Sequence, residues 1–229
     1  MNGTPVMPGF RAPREAFLLA GVGGSIDAVG VLLLGGLFVA HMSGNSAAFG
    51  AAFGQGDWRV GLPHLLAIPV FVLGLFLGYL WILRGRTFRR CAVLLAAEAV
   101  LLVLFVAAIH SGGGFASAIP ALLAMGLQNA TLRELGRSSF ATTYITGVLD
   151  MMAKAAATAA WERGGTALAD ARRAGAVWIS YAAGAILGSA GLGVLGVDVV
   201  FAPIAILAAL AFRFARIGSH LDDSPEHRR

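Results

Sequence analysis

Asp27 stands ten residues into an apolar run, Phe17–Ala40, that holds no other ionisable side chain. A carboxyl that deep in a hydrocarbon-length run costs at least about 2.5–3.5 kcal/mol to insert and is a functional candidate by default. It could carry a proton, or it could tie helices together by hydrogen bonds. Glu98, about eight residues into a second run, Cys91–Ile109, raises the same two readings. Both are candidate proton-coupling residues. The first run leads into HMSGN, residues 41–45, where His41, Ser43 and Asn45 surround Gly44. Further on, Gln128, Asn129, Thr146 and Gly147 set a second group of amide, hydroxyl and glycine positions in apolar text. A few polar groups in an apolar setting are what orient a small solute in a binding site.

Composition says what must position these residues. Of 229 residues, 58% are hydrophobic and 13% charged, and the mean hydropathy is +0.78, against roughly 45–50% and about 25% in soluble domains. A helix crosses about 30 Å of hydrocarbon in roughly 20 residues. Six such runs are expected: Phe17–Ala40, Pro63–Leu83, Cys91–Ile109, Ala118–Leu132, Ala174–Leu195 and Val199–Phe214. The expected fold is an all-α polytopic membrane protein, with tails over 1–16 and 218–229 and one membrane domain over 17–217. The first run is longer than the apolar core of a signal peptide, so it is expected to be retained. Cys91 is the only cysteine and can form no intrachain disulfide.

Charge position supplies orientation. Of 17 Lys and Arg, all but Arg59 fall in the N-terminal tail, at the C-terminal end from Arg213 onward, or in the connections after the second and fourth spans. By the positive-inside rule both termini are expected in the cytoplasm. The sequence pI near 10.3 then reflects topology, with weak attraction to anionic lipid, rather than nucleic acid.

The chain also reads as a repeat. Asp27-Ala28 matches Asn129-Ala130, Met42-Ser43-Gly44 matches Ile145-Thr146-Gly147 after one inserted residue, and GLFLG at 74–78 matches GAILG at 184–188. Repeat one covers about 17–110 and repeat two about 118–217; with three spans each, the second copy enters the membrane from the opposite side. Polar, glycine-interrupted segments at matching places in inverted repeats point to a transporter's binding site. Breaks are expected at Ser43-Gly44-Asn45 and Thr146-Gly147, each followed by a helix whose N-terminus favours an anion. The other reading makes HMSGN an ordinary turn with Ser43 or Asn45 as an N-cap.

The remaining polar residues are less specific. Asp150, Lys154, Thr158 and Glu162 recur every four residues and form one stripe on an apolar helix. It reads as an amphipathic helix in the cytoplasmic interface or as a lining of the solute pathway, to which His41, Asp150 and Lys154 would then belong. His110 is expected near an extracytoplasmic end. The GxxxG pairs allow close helix approach between the halves or in a homodimer.

Asp27-Ala28, Gly35–Val39, Met42–Asn45, Gly126–Ala130 and Thr143–Gly147 together resemble the motifs of the YoaK family. The resemblance implies a six-span bacterial inner-membrane protein and leaves its activity open. The function expected from the residues is a transporter or channel for a small solute, anionic or a weak acid, with possible proton coupling. Ser43, Gly44, Asn45, Gln128, Asn129, Thr146 and Gly147 are its candidate binding residues. The alternative is a non-transporting assembly or sensor protein. An intramembrane enzyme is disfavoured: His41 stands where a rhomboid-type Gly-x-Ser-Gly motif needs glycine, and the histidines lack the i, i+4 pair of zinc proteases. No metal or cofactor is expected.

Overall fold

The computed structural model describes residues 13–84, 88–135, 145–162 and 165–222. Among these residues eight α-helices follow one another: α1 Pro13–Leu33, α2 Met42–Gly54, α3 Trp58–Leu83, α4 Phe88–His110, α5 Phe115–Leu135, α6 Ile145–Glu162, α7 Gly165–Leu195 and α8 Phe201–Asp222, with a 3₁₀ turn at Gly196–Val200. No strand occurs among the described residues. Among the described residues five helical stretches are long and apolar enough to cross a bilayer: Arg14–Leu33, Trp58–Leu83, Phe88–His110, Phe115–Arg133 and Ala167–Ser219. The last runs to 53 residues and holds both α7 and α8, hinged where Gly196 takes φ +60. This is the architecture of a polytopic membrane protein.

α3 shows why such a sequence packs as it does. Its buried face is Gly61, His64, Ala67, Phe71, Gly74, Gly78 and Ile82, spaced three or four apart, whereas Leu65, Leu66, Val72, Leu73, Phe76 and Leu77 are exposed. Apart from Phe71 and Ile82, the buried face is small or polar while large apolar side chains face outward, as expected where lipid tails remove the hydrophobic drive between helices. Pro63 and Pro69 lie within this helix, where neighbouring helices can re-satisfy the freed carbonyls.

Two close helix pairs form the middle. α1 packs on α7 and α3 on α5, while α2 lies on α3, α6 on α7, and α4 on both α5 and α8. A methyl added at Gly24 or Gly184 would overlap the carbonyl of Tyr181 or Gly21, and one at Gly74 or Gly126 that of Leu123 or Phe71. Gly21 meets Gly184 and Ser25 meets Gly188, so the numbers rise together and α1 and α7 run in the same direction. The same holds for α3 and α5, where Gly74 meets Leu123 and Gly78 meets Leu127. Buried Glu15 pairs with Arg213 at 2.7 Å. At the far end His110 meets Asp198 at 2.9 Å, so α8 runs antiparallel to α4.

The first span departs from expectation. It ends at Leu33 rather than Ala40, and the break lies at 34–41, before Ser43-Gly44-Asn45, which form the first turns of α2. Gly35 and Gly36 take φ +65 and +88, the left-handed region in which glycine carries little penalty. There the chain turns back over α1: a Cβ on Gly30 would stand 3.0 Å from Val39 Cγ1. α7 begins at Gly165, nine residues before the expected Ala174.

Candidate functional site

The returning segment lacks ladder partners, so its backbone needs side chains. Asp27 Oδ1 accepts the N–H groups of Val39 and Ala40, each at 2.9 Å. Tyr181 donates its hydroxyl to Oδ2 at 2.8 Å, and His41 Nδ1 meets the same oxygen. Where that oxygen acts as an acceptor, Nδ1–H of His41 is the donor. The carboxyl is 2% exposed and joins α1, the break and α7.

Asn45 makes a second clamp. Its Nδ2 donates to the Phe38 carbonyl at 2.7 Å and its Oδ1 accepts the Phe38 N–H at 3.1 Å. His64 Nδ1 also reaches Oδ1 at 3.1 Å; since that oxygen only accepts, Nδ1–H donates. Three successive N–H groups, from Phe38 to Ala40, are therefore held by the side chains of Asn45 and Asp27. Gly44 allows the fit, because a Cβ there would lie 2.9 Å from Phe38 Cδ2.

Depth follows from helix rise. Asp27 precedes the end of α1 by six residues, about 9 Å at 1.5 Å per residue, and the start of α2 is carried back toward that level. α2 then lies along α3 in the opposite direction, with Asn45 at His64 and Ala52 at Gly61. It is a half-helix with its N-terminus inside the bundle, and its N-cap residue, His41, makes no side-chain cap.

Among the expected site residues, Asp27, His41 and Asn45 meet around this break. Ser43 is exposed on α2. Thr146 and Gly147 lie in the first turn of α6, where Val148 packs with Ala20, Ala174 and Val177, two turns of α1 away from Asp27. Asp150 and Lys154 are exposed on α6. The stripe does lie on a helix, and that helix packs on α7 rather than at the Asp27 centre. Gln128 and Asn129 are buried, Gln128 beside Glu98 rather than Asp27. Thr143 and Tyr144 of the second motif lie outside the described residues. Sequence reasoning missed His64 and Tyr181, single polar groups in apolar spans; the signal available was that Asp27 and Asn45, once buried, need partners.

Tyr181→Phe removes one donor from Oδ2. It is expected to lower stability by about 1–2 kcal/mol, read as a lower unfolding midpoint in detergent.

Fold and site together define a membrane protein, helical over its described residues, whose first span is followed by a returning segment clamped by buried polar side chains. The chain belongs to the family described as Protein of unknown function (DUF1275), whose model matches residues 16–213. The UPF0700 transmembrane protein YoaK of Bacillus subtilis (strain 168) is 29% identical over 140 residues, which are 58% of this chain and 61% of that protein. The chain thus spans less than two thirds of that relative. The resemblance to the YoaK family stands on both findings. No solved structure gives a significant match.

Proposed function

We propose that this protein is a proton-coupled carrier for a small anion or weak acid, built from two inverted repeats with six crossings, α1, α3, α4, α5, α7 and α8. We place it in a bacterial inner membrane with both termini cytoplasmic. Support for duplication comes from corresponding contacts. Gly24 and Gly126 stand 102 positions apart, as do Gly21 and Leu123, while Tyr181 and Phe71 stand 110 apart, as do Gly184 and Gly74. Gly24 against Tyr181 is matched by Gly126 against Phe71, and Gly184 against Gly21 by Gly74 against Leu123. α2 and α6 begin at matched residues, Met42 and Ile145.

The observation that carries the functional reading is the Asp27 carboxylate seated on two successive backbone N–H groups, just before the N-terminus of a half-helix inside the bundle. Successive N–H groups at a helix start form an anion seat. Here the protein's own carboxylate fills it. Protonation of Asp27 weakens its hold on Val39 and Ala40, and an incoming carboxylate or inorganic anion takes its place. The acid and the anion preference, which conflict in the sequence, become successive occupants of one seat. The partners of the clamp have apolar counterparts in the other half, Val148 and Ala174 standing where Asn45 and His64 do and Phe71 where Tyr181 does, while the carboxyl of Asp27 is matched by the uncharged amide of Asn129. The chemistry is assigned to the first half.

The sign of the pH dependence follows. The anion binds to the form that has gained a proton, so binding strengthens as pH falls and weakens by at most about tenfold per pH unit as pH rises. Purified protein in proteoliposomes, challenged with organic acids and inorganic anions, is expected to move protons inward with at least one of them, faster at lower external pH. Folded protein that moves no proton with any anion at any pH contradicts the reading.

A further inference from the structure

Glu98 of α4 and Gln128 of α5 are both fully buried, at 0% exposure. Gln128 stands close enough to interact with the Glu98 carboxyl, yet neither oxygen of Glu98 nor Oε1 or Nε2 of Gln128 has a partner in full hydrogen-bond geometry. Gln128 also reaches α1, where its Oε1 stands 3.2 Å from the place of a Cβ on Gly23. Gly23 precedes Asp27 by four residues, so the two share one face of α1.

Buried polar atoms are paired as a rule, and each exception asks for an explanation. Four of them on two neighbouring side chains point to a ligand. Three side-chain oxygens fall short of the shell of about six that a hard cation takes, and no group of three or more His, Cys, Asp or Glu gathers among the described residues. One added proton suffices. An ionised carboxylate opposite a carboxamide sets oxygen against oxygen, whereas a carboxylic acid that turns onto it donates its O–H to Oε1 and accepts Nε2–H at its carbonyl oxygen, which uses all four atoms. Ionised, Glu98 would be an uncompensated charge in an apolar interior.

We propose that Glu98 and Gln128 form a second proton-binding site, one turn of α1 from Asp27, from which Asp27 receives its proton. The transfer to Asp27 rests on the carrier reading; the site itself does not. Infrared spectra of the purified full chain, in light and heavy water and with no solute present, test it. A protonated-carboxyl C=O band is expected that shifts on deuteration, persists in Asp27→Asn and vanishes in Glu98→Gln. Absence of the band from the wild type, or its survival in Glu98→Gln, overturns the proposal. Should Glu98→Gln fail to fold, dicyclohexylcarbodiimide, which attacks protonated carboxyls in apolar surroundings, decides on wild-type protein. An adduct located at Glu98 by peptide mass spectrometry supports the site, and an unmodified Glu98 overturns it. A band without solute-driven flux would leave this site standing and remove the carrier reading.

Discussion

Asp27→Ala is expected to lower stability by about 3–5 kcal/mol, because it strips acceptors from several buried donors at once. Val39 N–H, Ala40 N–H, the Tyr181 hydroxyl and His41 all converge on that carboxyl. In hydrocarbon no water replaces it, and the returning segment has no ladder to fall back on. Asp27→Asn separates structure from charge. Its Oδ1 still accepts from Val39 and Ala40, while Nδ2 faces a hydroxyl that can turn to accept. About 1–2 kcal/mol is expected for that variant. Denaturant titration in mixed micelles, following tryptophan fluorescence, gives both values. Equal losses for the two variants would mean that the backbone bonds to Oδ1 contribute little to holding the break.

Gly184→Leu is expected to abolish the folded state or cost about 3 kcal/mol or more, at the upper end of overpacking penalties. Even the first carbon of that side chain would overlap the Gly21 carbonyl, which belongs to helix backbone and cannot rotate aside. Because α1 and α7 run in parallel at this contact, prying them apart also pulls Tyr181 from Asp27, so the damage spreads to the site. Gly193→Leu, on the same helix with nothing within 4 Å of its Cβ position, is the control and is expected to change stability by less than about 0.5 kcal/mol. Size-exclusion profiles of the two variants, followed by thermal unfolding, check this. A Gly184→Leu protein that elutes and unfolds like wild type would mean that the α1–α7 contact is looser than described.

Most spans were legible because their apolar length is unmistakable, and α6 because Asp150, Lys154, Thr158 and Glu162 keep a four-residue period. The break was not legible in place. Leu34 to Ala40 is entirely apolar apart from its glycines, and hydropathy does not distinguish a helix from an irregular segment whose N–H groups are taken by side chains seven to thirteen positions away. Gly35-Gly36 was the local signal, and HMSGN drew attention one turn too late. Asp27 and Asn45 stood out in the sequence as polar intrusions, but their role as clamps needed the position of the returning chain. Tyr181 is 154 residues from Asp27, and only the pairing of α1 with α7 brings them together.

The central claim is that Asp27 is a displaceable occupant of an anion seat. It is tested most directly by measuring anion-driven proton flux against external pH in proteoliposomes holding wild type or Asp27→Asn at equal density. The expected result is flux that rises as pH falls in the wild type, and anion movement without proton coupling or pH dependence in the variant. Proton-coupled flux with an unchanged pH profile in folded Asp27→Asn would contradict the claim and leave Asp27 as a clamp for the broken helix alone.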